Sequence, residues 1–157
     1  IYDEIIRQFP DTAMAESAIL RKGDAQFALG AADSNRYDEA IASYQLLLER
    51  PASNPDIRLQ AEYKIGRCLE KSARGGEAFE RYMNAVYLYL KIPQPAPRET
   101  VWFTRAAFNA AGLQERNQSW RKAAAIYQRI IDANVPSSAE ARQRLDRLRT
   151  EHWLHFY

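Results

Sequence analysis

Apolar residues return at three- and four-residue intervals through most of the chain, and no stretch shows the strict alternation of a half-buried strand. This period predicts a half helix over about 1–9, then helices near 12–29, 36–49, 55–73, 76–91, 98–116, 119–133 and 137–155. The prolines divide the chain at the same places: Pro10, Pro51 and Pro55, then Pro93, Pro95 and Pro97, then Pro136. A proline costs about 3 kcal/mol inside a helix, so these positions read as helix stops. Asn54 and Pro55 read as an N-cap and first helical residue, and Ser137 with Glu140 reads as a capping box. Gly30, Gly75 and Gly76 are expected to supply the tight or left-handed turns between paired helices.

The proline clusters recur about every 42 residues, a spacing that calls for a search for internal repeats. Ala40 and Tyr44, Ala78 and Tyr82, and Ala123 and Tyr127 are three copies of an Ala-x-x-x-Tyr pair, each followed by apolar residues on the same helical face. Upstream of each lies a small-residue pair: Ala18 with Gly23, Ala61 with Gly66, Ala106 with Ala111. Each unit is therefore two helices. The small residues let the backbones approach, and the tyrosine fills the space beside that contact.

These motifs resemble the tetratricopeptide repeat. The densest likeness is the insertion-free unit from Ala61 and Gly66 through Gly76, Glu77, Ala78, Tyr82 and Ala85, and Tyr37 to Tyr44 is similar to the family's second helix. The resemblance implies an all-α fold, a right-handed α–α superhelix of antiparallel helix pairs, as one domain over residues 1–157. It would comprise a half repeat at 1–10, repeats at about 12–51, 55–92 and 98–134, and a capping helix at 137–155. Tyr2, Ile5 and Ile6 before Pro10 match the end of a second helix with no first helix ahead of it, so the chain is expected to be a fragment of a longer protein. Extra residues at 31–35, near Ser53 and at 93–97 lengthen the usual period, and Ala111 and Trp120 stand where the family has glycine and tyrosine. The manner of the repeats is similar to bacterial envelope members of the family, which favours a periplasmic or envelope location over the cytoplasm.

Composition narrows the function classes. Basic and acidic side chains number 22 and 20, a formal charge of +2, so no global field draws the chain to nucleic acid or anionic lipid. Charge-free stretches reach only about ten residues, well short of the roughly 20 that a membrane-spanning helix needs. The single cysteine, Cys68, cannot form an internal disulfide, and its place inside a helix reads as a small buried hydrophobe. There is no phosphate-binding glycine loop, nucleophile elbow, paired Cys-x-x-Cys or His-Glu-x-x-His. His152 and His155 lie three apart and would need further ligands to hold a metal, so they read as imidazoles on an exposed helix end. Arg142, Arg144, Arg147 and Arg149 are split by helical geometry and read as a solvated capping face. No catalytic residue, metal or cofactor is expected.

In the resembled family the first helices line a concave groove. Carried over residue by residue, that implies Asp24 and Phe27 in one unit, Gln60, Tyr63, Arg67 and Lys71 in the next, and Arg105 and Phe108 in the last. Phe27, Tyr63, Arg67 and Phe108 lead, since aromatic anchors with arginine are the usual energetic centres of interfaces. Burial of Phe27 and Phe108 in the core is the competing reading. Where some members grip a C-terminal carboxylate with lysine and asparagine, this chain has Leu20 and Asp24, then Tyr63 and Arg67, so that peptide class is not expected. The function expected is a non-enzymatic scaffold binding a protein or peptide. The alternative is a structural module that self-associates through its repeat ends and the aromatic residues Trp153, Phe156 and Tyr157, within a cell-envelope complex.

Overall fold

The computed structural model describes residues 1–50 and 53–157. Pro51, one of the expected helix stops, and the end of the expected first full repeat lie outside them. Among the described residues there is no strand. The elements are α1 (Tyr2–Gln8), α2 (Ala13–Leu29), α3 (Asn35–Glu49), α4 (Pro55–Lys71), α5 (Gly75–Leu90), α6 (Pro97–Arg116), α7 (Trp120–Asp132) and α8 (Ser138–Glu151), with a 3-10 turn at Trp153–His155. The fold is all-α, built of successive helices packed on their neighbours. Its contacts gather into two compact units, Ile1–Arg81 and Tyr82–Tyr157, which divide within α5.

In the first unit α3 packs on both α2 and α4, and α1 packs on α2. The small-residue motif explains the α2–α3 contact: the Tyr44 ring lies where a side chain on Gly23 would be, and a β-carbon added there would sit 2.5 Å from Tyr44 Cε1. Ala15, Ala18, Ile19, Ala40, Tyr44, Leu47, Leu59, Ala61, Ile65 and Cys68 form the buried interior. Thr12 caps α2, its hydroxyl accepting from the Ala15 N–H at 3.2 Å.

In the second unit α7 packs on α6 and on α8. Phe103, Ala106, Ala110, Ala111, Ala123, Tyr127, Ile130, Ala141, Leu145 and Leu148 are buried. Tyr89 stacks on Phe103 with ring centroids 4.1 Å apart. Its hydroxyl is 2.9 Å from Thr100 Oγ1.

Three local expectations are corrected. The left-handed residues are Ala73 (φ 58°), Gln118 (φ 56°) and Asn134 (φ 50°), not glycines. Gly30 is right-handed at φ −60°, and its lack of a side chain makes room for the Tyr37 ring instead. Gly75 and Gly76 open α5. The reason is visible at the helix ends: the Arg74 N–H reaches Leu69 O at 2.9 Å and the Ser119 N–H reaches Gln114 O at 2.8 Å, each closing a turn whose penultimate residue must be left-handed. The capping box at Ser137 does not form, because that residue is at φ −86°, ψ 5° instead of extended and its side chain does not cap the helix. Ser138, the first residue of α8, instead ties the helix to the turn before it and to α7, accepting from the Val135 N–H at 2.9 Å and donating to Ile130 O at 3.0 Å. Asn54 does precede Pro55 at the start of α4, but its side chain makes no cap bond. The last helix stops at Glu151, short of the expected 155, and His152 leaves it to stack on Trp120 at a centroid distance of 3.6 Å.

Candidate functional site

The six expected groove residues of the first unit lie on α2 and α4, and four of them sit within two small clusters. In one, Asp24 Oδ1 accepts from Lys64 Nζ at 2.5 Å and from the Tyr44 hydroxyl at 2.6 Å. Lys64 also lies 5.6 Å from the centre of the Tyr44 ring. Burial pushes the Tyr44 phenol far above its ordinary value, and the Asp24 carboxylate it donates to pushes the same way. In the other cluster the Arg67 guanidinium lies 5.9 Å from the centre of the Phe27 ring, and Arg67 Nη1 donates to the Tyr63 hydroxyl at 3.2 Å. Tyr63 is buried at 9% exposure, so it supports Arg67 from below and offers little contact area of its own. Phe27 and Gln60 are half-buried, whereas Asp24 and Lys71 are exposed.

The second unit holds the remaining two. Arg105 is exposed and its guanidinium lies 5.0 Å from the Trp102 ring. Phe108 is half-buried, 6.0 Å from the Tyr127 ring and covered by the Arg144 guanidinium at 4.8 Å. Both phenylalanines therefore fall between the two readings open to them: one face against the interior, the other under an arginine. Tyr127 donates a short hydrogen bond to the Glu115 carboxylate. Burial and that bond push its phenol up to about 12. Arg144 Nη2 in turn meets Glu140 Oε1 at 2.6 Å.

Lys64 and Arg144 are the side chains that sequence reasoning missed. Their signal was present in the repeat: Lys64 follows Ala61 by three residues and Arg144 follows Ala141 by three, so the two cations occupy one register position. Arg144 had been grouped with Arg142, Arg147 and Arg149 as a solvated face, but only those three are exposed.

Elsewhere the chemistry is sparse. Cys68 is fully buried, and burial pushes its thiol up to about 12, which keeps it protonated and unreactive near neutral pH. Among the described residues no three His, Cys, Asp or Glu side chains gather to hold a metal ion. Nor is any helix there long and apolar enough to cross a membrane.

A second helix whose buried tyrosine fits the small residues of a first helix, with the cation of the following first helix over it, defines a helical-repeat protein. Residues 17–53, which run from α2 through α3, match the family model of the tetratricopeptide repeat, so this part of the chain is similar to that repeat. No curated protein matches it. Repeats of this family mediate protein–protein interactions and are not themselves catalysts.

Proposed function

We propose that the chain is a protein-interaction scaffold that holds a protein or peptide partner on the exposed faces of its first helices. Its repeats run over about 12–51, 55–92 and 98–134, and α8 is the capping helix. The observation that carries this reading is the surface of α2 and α4: aromatic and cationic side chains are paired with one another, leaving Phe27 beneath Arg67 as a half-buried anchor beside exposed Asp24 and Lys71. Such pairs are held in place before a partner arrives, which lowers the ordering cost of binding.

A capture experiment tests it. Proteins retained from an extract of the source organism by the wild-type chain are compared with those retained by Gln60→Lys/Lys71→Glu and by Glu80→Lys, an exposed change on α5. The double variant should lose its specific partner at least about tenfold, while the control keeps it. Equal capture by all three would dispose of the first-helix surface. Self-association is a second reading, favoured by the exposure of Trp153 (57%), Leu154 (72%) and Tyr157 (90%). A mass by light scattering that rises with concentration and falls on Leu154→Glu would support it.

A further inference from the structure

The second unit has a cleft of about 490 Å³, separate from the Phe108–Arg144 contact, where the start of α6 meets the turn between α7 and α8. Pro95, Pro97, Val101 and Pro136 make its walls apolar, and Thr104, Ser137 and Arg105 stand among them. Three of the wall residues are prolines, whose fixed φ holds the cleft in shape without a ligand. Val101 is 44% exposed, an apolar side chain turned to solvent on a helix that buries Phe103 two residues later.

Of its polar residues Thr100 is engaged by Tyr89 and the Ala96 carbonyl, and the others are uncommitted among the described residues. Arg105 touches the Trp102 ring and, among the described residues, has no carboxylate partner. Thr104 has no hydrogen bond among the described residues, and the Ser137 side chain does not cap α8. The acidic residues at the starts of the two helices are engaged elsewhere: Glu99 accepts from the Ala96 N–H at 2.6 Å, and Glu140 pairs with Arg144. Among the described residues the cleft thus combines apolar walls with a cation that has no carboxylate partner, the Thr104 and Ser137 hydroxyls and no lining acid.

We propose that this cleft takes an aliphatic side chain of a partner peptide while Arg105 pairs with an aspartate or glutamate side chain beside it in the peptide. The inference rests on the protein-binding reading and narrows it to one partner chemistry. The charge of the cleft selects an acid, and its walls select an aliphatic neighbour. The volume is large enough for a leucine or isoleucine with its adjoining backbone. A guanidinium beside hydroxyl donors suits a carboxylate, and the pairing gains strength as the apolar neighbour excludes water. The acid is an internal side chain rather than a chain end, because a single cation at the rim of an open cleft leaves room for a peptide to pass through. The positions used by relatives for a terminal carboxylate hold Leu20, Asp24, Tyr63 and Arg67 instead.

Selection from a random dodecapeptide library on the intact chain tests this. Selected peptides should be enriched in Leu, Ile or Val within two residues of Asp or Glu. A synthetic hit with an amidated C-terminus should bind the wild type and lose at least about tenfold in affinity to Arg105→Glu. It should lose a comparable amount to Val101→Arg, with both variants keeping the wild-type helical circular dichroism. Hits that ignore both changes but respond to Gln60→Lys/Lys71→Glu would overturn the cleft and leave the scaffold reading standing. An absence of hits would overturn both. Loss of binding on amidation would overturn the internal acid, and a dimer of the chain that dissolves on Val101→Arg would mean that a second copy fills the cleft.

Discussion

Each half of this chain contains a buried tyrosine from a second helix, and the two halves satisfy its hydroxyl differently. In the first, Tyr44 lies against Gly23 and donates to Asp24, the next residue along α2. In the second, Tyr127 donates to Glu115, one helical turn past Ala111, the small residue that stands where the first half has Gly23. With Ala18 laid over Ala106, Asp24 falls on Gly112 and Phe27 on Glu115, so the carboxylate has changed register position while the contact has not. The cations do keep their register: Lys64 over Tyr44, and Arg144 near Tyr127 and over Phe108. Shape complementarity between a small residue and a tyrosine defines the repeat. A buried hydroxyl needs an acceptor, but any carboxylate within reach serves.

The largest test of this contrast is at the glycines. Gly23→Ala should destabilise by about 1–3 kcal/mol, because the new methyl group meets the ring of a tyrosine that is only 1% exposed. Gly112→Ala should do the reverse and stabilise by up to about 1 kcal/mol through helix propensity, since a β-carbon there meets only Arg116 Nη1 at 3.7 Å. Urea unfolding of the two variants separates them, and a loss of stability in both would show that the tyrosine ring against Gly23 is not what sets that glycine apart from Gly112, the residue after the small position in the second half.

Alkaline titration compares the two phenols directly. Both are raised above the ordinary value near 10, so the folded chain holds its protons more tightly than the unfolded chain does. The stability they contribute is complete below about pH 10 and is lost as pH rises. For Tyr127 the loss runs from about 10 to about 12. Tyr44 stays protonated to higher pH than Tyr127. Tyrosinate absorbance should show Tyr127 ionising first, and Tyr44→Phe and Tyr127→Phe should each remove one late-titrating group. Ionisation of both with the exposed tyrosines would refute the buried hydrogen bonds.

The smallest expected effect lies at the turns. Ala73 and Gln118 each hold a left-handed conformation that glycine adopts without steric cost. Ala73→Gly and Gln118→Gly should each stabilise by up to about 1 kcal/mol, one in each half, as read by the thermal midpoint. A fall in that midpoint would mean that the lost side chains matter more than the backbone geometry.

Much of the fold was legible in the sequence because its signals are local. Helix positions follow from period and proline, and the pairing of Ala40–Tyr44 with Ala18–Gly23 follows from the repeat. Less of the candidate surface was legible. Tyr63 shares its helix face with Arg67, yet one is buried and the other half-buried, and only packing distinguishes them. Phe27 and Phe108 could be assigned neither to core nor to surface, since the arginine covering each comes from a helix roughly 36 to 40 residues further along.

The sequence by itself determined that this chain is a set of paired helices with tyrosines fitted to small residues, because periodicity, helix breakers and side-chain volume all act over one or two turns. Tertiary structure alone decided which carboxylate receives each tyrosine, that Ala73 and Gln118 take the left-handed conformation while Gly30, Gly75 and Gly76 do not, and that Arg105 stands beside an apolar cleft with no carboxylate partner among the described residues. Those outcomes depend on which atoms distant helices bring within about 3 to 6 Å, a distance that position along the chain does not encode.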